Sequence, residues 1–270
     1  MGKKFKKNKF KNKNFHFQNN NNTKNTSQNN PLNTQNNKKN KKSLISSKIL
    51  NSLEDSKFRI INEKLYKSSS SEALSYFQSN SEDFITYHKG FSLQAKKWPT
   101  NPNNLILKTL LLPKYKSMSI ADIGCGEASL AQKLIPLGYN IKSFDLFSLN
   151  DNVTVADMKN LPIENKEIDL AIYCLSLMNK NFIPFIAEAN RILKIGGKLL
   201  IAEILSRIVD MSKFLEIFEK YGFNVIKQRN VDNYFEIITF KKIRDCTLSK
   251  KDEKLEDTYD ILKPCLYKKR

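Results

Sequence analysis

The sequence predicts a doubly wound α/β fold, and three observations carry that prediction. From residue 119 onward, short apolar runs alternate with stretches whose apolar residues recur at helical spacing. The first run ends in a tight glycine turn, Asp122-Ile123-Gly124-Cys125-Gly126, and a helical pattern follows at once. A later run, 170–174, is almost entirely apolar, as a central parallel strand is. Alternating units of this kind predict a mostly parallel sheet with helices on both faces.

The elements can be placed in order along this half of the chain. The first strand, ending at Ile123, leads to a helix that ends near Leu137, with Gly138 as its cap. The last two strands are separated by a short polar turn, which predicts an antiparallel pair. The other predicted elements are strands 141–145, 153–157, 170–174, 198–203, 224–227 and 234–240, and helices 182–193 and 212–221.

The N-terminal part has a different composition. Residues 1–70 have a net charge of +14, whereas the other 200 residues together have +5. Residues 1–48 contain 13 Lys and 14 Asn and no acidic residue, so they have too little apolar surface to offset the entropy of ordering, and we expect disorder. A basic tail favours polyanions, with nucleic acid first and anionic membrane second. It could bind RNA, direct the chain to the nucleus or nucleolus, or be only a solvated appendage.

Between the tail and the sheet, helical patterns predict an N-terminal helical extension. Apolar residues recur at helical spacing over 48–66, and a serine run at 68–71 forms a joint. Three helical stretches follow: one begins at Ser71, and the others cover residues 87–97 and 104–112. Pro113 ends the last of them. We therefore divide the chain into a largely disordered basic tail (1–70), a helical cap on the substrate side (71–113) and a sheet domain (114–270).

Composition also excludes some classes of protein. The four cysteines are far apart and there are only two histidines, so we expect no structural metal and a reduced compartment. No apolar run approaches the roughly 18 residues that span a bilayer, so we expect no membrane partner. The N-terminus has no apolar core of a secretory signal.

Residues at the carboxyl ends of the strands are the candidates for binding a ligand. Gly124 and Gly126 follow the first strand, and Asp145, 21 residues after Gly124, ends the second, where an acid can accept both hydroxyls of a ribose. Asp157, at the end of the third strand, could accept an adenine amino hydrogen with Met158 beside the ring. Cys174 ends the fourth.

The choice of ligand rests on charge. Ser129 stands where a dinucleotide fingerprint has its third glycine, and the chain has no phosphate-binding Lys motif. Asp122 lies just before the turn, where it would repel a pyrophosphate but attract a cationic methionine-like group. An Asp at a strand end is usually only a turn or helix cap, but three acids in register with the glycine turn favour S-adenosylmethionine.

The chain resembles a known family, the nucleolar ribosomal RNA-processing protein eight family of nucleomethylin-like methyltransferases. The resemblance runs from about Phe84 to the C-terminus, and it rests first on the strings Tyr87-His88-x-Gly90-Phe91-x-x-Gln94-x-x-x-Trp98-Pro99 and Ala121-Asp122-Ile123-Gly124-Cys125-Gly126-Glu127. Further matching stretches are 143–146, 153–158, 173–178, 188–197, 201–203, 206–207 and 264–268.

The resemblance implies a class I S-adenosylmethionine-dependent methyltransferase that modifies adenine N1 in large-subunit ribosomal RNA. It also implies a nuclear, nucleolar location and possible pre-ribosomal or chromatin protein partners. In the pattern of the family, the cofactor contacts fall here on His88, Gly124, Asp145, Asp157, Met158 and Cys174. From the residues alone, His88 would be a partly buried helix residue that packs on the sheet.

The chemistry of adenine N1 makes a catalytic base unnecessary, because the nitrogen has a free lone pair at neutral pH; we therefore name no catalytic residue. We expect Leu175, Ser176 and Asn179 and the segment around His88 to hold the base. Arg191 and Arg207 could contact RNA phosphates, but pairing with a carboxylate or a helix dipole is at least as good an interpretation.

Two alternatives remain open at this point. The chain could be a methyltransferase that acts on another nucleic-acid site, a protein or a small molecule. It could also be a cofactor-binding scaffold of chromatin, of the kind that silences ribosomal DNA, with no catalytic role.

Overall fold

A seven-stranded mixed sheet is the centre of the computed structural model, which describes residues 32–180, 182–246 and 260–267. The strand order is β3-β2-β1-β4-β5-β7-β6. The first five strands in that order are parallel, and β7 is antiparallel to both β5 and β6. The predicted doubly wound sheet with an antiparallel last pair is confirmed. The strands are β1 Ser119–Ile123, β2 Asn140–Asp145, β3 Val153–Val155, β4 Ile168–Cys174, β5 Leu193–Ile204, β6 Phe223–Val231 and β7 Phe235–Lys242.

Helices lie on both faces of this sheet. One face packs on α6 and α7 through residues such as Phe185 and Phe214. The other packs on α4 and α5 through residues such as Ile106 and Leu130. The helices are α1 Leu32–Lys67, α2 Ser70–Ser79, α3 Ser81–Ala95, α4 Pro102–Leu110, α5 Ser129–Leu134, α6 Ile183–Ile192 and α7 Met211–Lys220, with short 3-10 turns at Pro113–Tyr115, Ile135–Leu137 and Leu205–Arg207.

Strand β5 begins earlier than the sequence predicts. The sequence predicts a strand over 198–203, but the strand runs from Leu193 to Ile204 and includes the glycine pair at 196–197. Leu193 already pairs with Ile168, and the register then shifts before Leu170 pairs with Lys198. Gly196 has φ +82°, so the glycine forms an irregularity within the strand.

The N-terminal boundary also differs from the predicted one. The first 31 residues of the expected disordered tail lie outside the described residues, but α1 is helical from Leu32. The second part of α1, which the division at residue 70 placed in the tail, belongs to the folded body. Phe58, Ile61 and Leu65 are buried against a cluster that includes Phe77 and Phe84. Their spacing brings one face of α1 onto α2 and α3.

The serine joint has a defined capping structure. The Ser69 hydroxyl accepts from the backbone N–H of Glu72, and the Glu72 carboxylate accepts from the backbone N–H of Ser69. This reciprocal capping box fixes the start of α2 directly after α1.

Within the described ranges, no helix has both the length and the apolar character needed to cross a membrane. No group of three or more His, Cys, Asp or Glu side chains in the same ranges is placed to hold a metal ion.

The packing of α1 gives a testable prediction. Phe58→Ala should lower the free energy of unfolding by about 3–5 kcal/mol, because it leaves a cavity against Gly90, Tyr87 and their neighbours. Ile60→Ala is the matched control, since Ile60 is 69% exposed on the same helix and should change stability by about 0.5 kcal/mol or less. Urea unfolding measures both; equal effects of the two substitutions would contradict the placement of α1 in the folded body.

Candidate active site

A cavity of about 260 Å³ lies at the carboxyl ends of β1, β2 and β4. Residues after these strands form its floor, and residues of α2, α3 and the segment that follows α3 form its opposite wall. The lining from the sheet side includes Asp122, Gly124, Cys125, Gly126, Asp145, Met158, Cys174, Leu175, Ser176 and Asn179. The lining from the helical side includes Phe77, Phe84, Tyr87, His88, Phe91 and Trp98.

The glycine turn after β1 is shaped so that no side chain could replace its hydrogens. Gly124 and Gly126 have φ +73° and +58°, a region that residues with a Cβ rarely adopt. A Cβ on Gly124 would lie 2.3 Å from Cβ of Ser176, and one on Gly126 would lie 2.9 Å from Cε1 of His88. The turn therefore exposes backbone, not side chains, to the cavity.

Asp145 is anchored to this turn. Its Oδ2 accepts from the backbone N–H of Gly126 at 2.7 Å, and its Oδ1 accepts from the backbone N–H of Leu146 at 2.7 Å. Burial raises the pKa of Asp145 to about 6, and the two backbone N–H groups oppose that rise by stabilising the carboxylate. The carboxylate is thus fixed in orientation, and each oxygen keeps further lone pairs for a ligand.

Asp122 is a second acid that lines the same cavity, and its side chain is buried. Burial raises the pKa of Asp122 to about 7, and the charge of Asp145 raises it further. Two acids that resist ionisation together would both be stabilised as carboxylates by a positive charge in the cavity. The electrostatics therefore suit a cationic ligand and disfavour an anionic one.

His88 faces the glycine turn from α3. Its ring packs on Phe84, with the ring centroids 4.2 Å apart, and on Tyr87 at 5.2 Å. Burial lowers the pKa of His88 to about 4, so the imidazole is neutral at physiological pH. It can offer one donor and one acceptor, but no charge.

The floor of the cavity after β4 holds a polar group without a partner. The hydroxyl of Ser176 is buried and has no hydrogen-bond partner among the described residues. Leu175, before it, has φ +59°, an uncommon backbone conformation for a residue with a branched side chain. Burial raises the pKa of the neighbouring Cys174, so its thiol stays protonated and is a packing group, not a nucleophile.

Five of the six predicted cofactor residues line the cavity together: His88, Gly124, Asp145, Met158 and Cys174. The sixth, Asp157, does not line it. Its Oδ2 accepts from the Ser70 hydroxyl at 2.8 Å and lies 3.5 Å from Nζ of Lys159. The reason is local, since β3 ends at Val155 and not at residue 157, so Asp157 reaches the start of α2.

One wall of the cavity is aromatic, and the pattern of residue types alone did not predict it; the segment around His88 was named only after the family resemblance. Phe84, Tyr87, His88 and Phe91 recur at the i, i+3, i+4, i+7 spacing of one helical face. That face could have been found from the spacing, but the spacing does not say whether it lines a cavity or fills a core. The wall is also tied to the floor, because the Tyr87 hydroxyl donates to Sδ of Met178 at 3.1 Å and Asn179 Nδ2 donates to the Ser68 carbonyl at 3.2 Å.

Arg191 and Arg207 pair with carboxylates, as the second of the two interpretations predicts. Arg191 donates to Glu188 from Nε at 2.8 Å and from Nη2 at 2.7 Å. Arg207 is 2% exposed, lies 2.6 Å from Oε2 of Glu203, and donates to the carbonyls of Lys263 and Leu177. Arg207 thereby joins the C-terminal segment to the loop that follows β4.

Comparison with known proteins adds to this geometry. A family model described as "Hypothetical methyltransferase" matches residues 44–270. Ribosomal RNA-processing protein 8 of Dictyostelium discoideum is 43% identical over 235 residues, which cover 84% of this chain and 60% of that protein. Its counterpart in Caenorhabditis elegans is 44% identical over 221 residues, 81% of this chain and 61% of that one.

A fission yeast relative has a more specific name. The 25S rRNA (adenine(645)-N(1))-methyltransferase of Schizosaccharomyces pombe is 36% identical over 236 residues, which cover 84% of this chain and 72% of that protein. The match to the two relatives above spans about three-fifths of their length.

The two acids predict a pH dependence of stability. Folding raises the pKa of Asp122 from 3.8 to about 7, so the folded chain binds more protons than the unfolded chain in that interval. The free energy of unfolding should therefore fall as the pH rises from about 4 to about 7. Asp122→Asn should make this slope smaller.

The control for this experiment is Asp151→Asn, which replaces an exposed acid and should leave the slope unchanged. Urea unfolding at a series of pH values measures the three slopes. Identical slopes for the wild type and Asp122→Asn would contradict the raised pKa of Asp122.

Proposed function

Because the chain belongs to the methyltransferase family that includes the ribosomal RNA-processing protein 8 relatives, we propose that it is an S-adenosylmethionine-dependent enzyme that methylates N1 of an adenine in large-subunit ribosomal RNA. The observation that carries this proposal is a pair of acids, the buried Asp122 and the half-buried Asp145, beside a glycine turn that exposes its backbone to the cavity. The printed name of the fission yeast relative supports the choice of substrate.

The residues of the cavity fit the cofactor. Asp145 would accept hydrogen bonds from the ribose hydroxyls, and Met158 would lie beside the adenine. Gly124 lies close to both Met158 and Ser176. Asp122 suits the positive charge of the methionine part. When bound, S-adenosylmethionine supplies a methyl group on a positively charged sulfur. Asp157 could accept a hydrogen bond from the adenine amino group only if it gave up its hydrogen bond with Ser70.

The remaining residues of the cavity have the properties that a methyl transfer to N1 requires. N1 of a neutral adenine carries a lone pair and no proton, so the chain needs to align the base and exclude water, not to remove a proton. The aromatic wall, together with the neighbouring rings of Phe77 and Trp98, can do both. Asn179 and the free hydroxyl of Ser176 provide the polar groups at the opposite side.

The position of N1 adds a requirement on the RNA. N1 lies on the Watson–Crick edge, so a paired adenine must leave its helix before it can enter the cavity. We therefore propose that the substrate adenine is unpaired or is extruded on binding. The same proposal places the chain in the nucleus and nucleolus, where large-subunit ribosomal RNA is made.

Asp145→Ala tests the placement of the cofactor. Loss of a hydrogen bond from a charged group costs about 1.5–3 kcal/mol, so the affinity for S-adenosylhomocysteine should fall roughly 10-fold to 150-fold. Asp151→Ala, which removes an exposed acid, should bind as the wild type does. Titration calorimetry measures the three affinities, and unchanged binding by Asp145→Ala would reject this position for the ribose.

The substrate is tested in cells. Ribosomal RNA nucleosides from cells that lack the gene should contain less 1-methyladenosine, and a primer-extension stop at a single large-subunit adenine should disappear. The wild-type gene should restore both signals, and the Asp145→Ala gene should not. An unchanged nucleoside profile after deletion would contradict the proposed substrate.

A further inference from the structure

Four basic side chains share one face of the antiparallel edge of the sheet. Lys198 of β5 pairs with Lys241 of β7, and two further β7 residues on the same face pair with Lys227 and Arg229 of β6. Directly opposed residues in an antiparallel pair point to the same side, as do alternate residues along a strand. Lys198, Lys241, Lys227 and Arg229 therefore lie on one side, which we call the basic sheet face.

No acidic residue accompanies them on that side of β5, β6 and β7. The other residues of the face are apolar or uncharged, such as Leu200, Ile237 and Thr239. Within the described ranges, none of the four cations forms an ion pair. The strand acids Glu203 and Glu236 pair with each other in register on the opposite side.

Several other cations of the sheet domain pair with carboxylates. Lys142 lies 2.5 Å from Glu167, and Lys194 lies 2.8 Å from Asp169. Even the buried Lys242, the next residue after Lys241, reaches Asp245 at 2.8 Å. The four cations of the basic sheet face have no such partner among the described residues.

This arrangement lowers the stability of the free chain. Like charges directly opposite each other on a sheet, as Lys198 and Lys241 are, repel each other. Cations on an edge strand can protect it from pairing with another sheet, and that explains Lys227 and Arg229. It does not explain Lys198 and Lys241, because β5 and β7 are interior strands.

The face is exposed on its β6 side and extends toward the cavity. Strand β6 is exposed from Asn224 to Asn230. Arg229 of β6 pairs with Ile237 of β7. Between Lys241 and Ile237 the face extends about 14 Å along β7. Ile237 packs in the same cluster as Trp98, and Trp98 lines the cavity. The row of cations therefore ends next to the aromatic wall.

At its other end the face continues onto an aromatic ring. Nζ of Lys198 lies 5.9 Å from the centre of the Tyr115 ring, and Nζ of Lys114 lies 5.2 Å from the same centre. Lys114 is exposed and adds a further positive charge at this end.

We propose that the basic sheet face binds the sugar-phosphate backbone of the RNA strand whose target base enters the cavity. The proposal rests on the proposed function, since it assigns the path of that substrate. The row of cations, the absence of acids beside it and the repulsion between Lys198 and Lys241 all suit a polyanion. Its phosphates would neutralise the repulsion, and their binding would release counterions. The apolar wall beside Trp98 would then receive the unstacked base.

The test compares two double variants of the full chain. Lys227→Gln/Arg229→Gln removes two charges from the face, and Lys213→Gln/Lys220→Gln removes two from α7, which packs on the other side of the sheet. Fluorescence anisotropy with a labelled 20-nucleotide single-stranded RNA, over 50–200 mM KCl, gives affinity and its salt dependence. Calorimetry with S-adenosylhomocysteine, and methyl transfer to large-subunit RNA, are measured on the same preparations.

The first variant should bind RNA at least tenfold more weakly at 50 mM KCl, and its salt slope should be smaller in magnitude by about 1.4, since each lost phosphate contact removes about 0.7. Its affinity for S-adenosylhomocysteine should be unchanged, and the α7 variant should retain the wild-type slope. Equal RNA affinities and slopes for both variants would overturn the inference, whatever the methylation assay shows. RNA binding through this face without methyl transfer by the wild type would instead contradict the proposed function.

Discussion

The hydrogen bond that holds the Asp145 carboxylate against the backbone of the glycine turn is the constraint on which the site depends. The bond from the Gly126 N–H joins the end of β2 to the turn after β1, and a second bond from the Leu146 N–H fixes the other oxygen of this half-buried carboxylate. Desolvation is unfavourable for both carboxylates and raises the pKa of each, and the charge of Asp145 adds to the rise at Asp122. A cation in the cavity relieves that cost, so the same arrangement that is unfavourable in the free chain provides binding energy for a positively charged cofactor.

The helical extension completes this site instead of merely preceding it. Helices α1, α2 and α3 form an aromatic cluster that includes Phe58, Phe77 and Phe84, and its inner side is one wall of the cavity. The buried Arg207 holds the opposite side, since it binds the carbonyls of Leu177 and Lys263 and lies over the ring of Tyr66 from α1. Loss of either support would change the cavity without touching a residue that contacts the ligand.

Most of the sheet could be predicted from the sequence because its signals are local. The glycine turn, the apolar central strand and the position of Asp145 all follow from spacing within a few tens of residues. The length of β5 and the contacts of Asp157 could not be predicted in this way, because they depend on pairing with β4 and on the approach of α2. The role of α1 was missed for the same reason, since Phe58 and Leu65 find their partners only in the folded chain. His88 entered only through the resemblance to a family, and no pattern of residue types around it indicated a cavity.

The central claim is that the rim of the sheet at β1 and β2 is an adenosine site. A crystal structure of the chain with S-adenosylhomocysteine tests it most directly. The account predicts the ribose within hydrogen-bond distance of Asp145 and the adenine beside Met158. A ligand bound elsewhere, or a cavity that stays without ligand at saturating concentration, would contradict it.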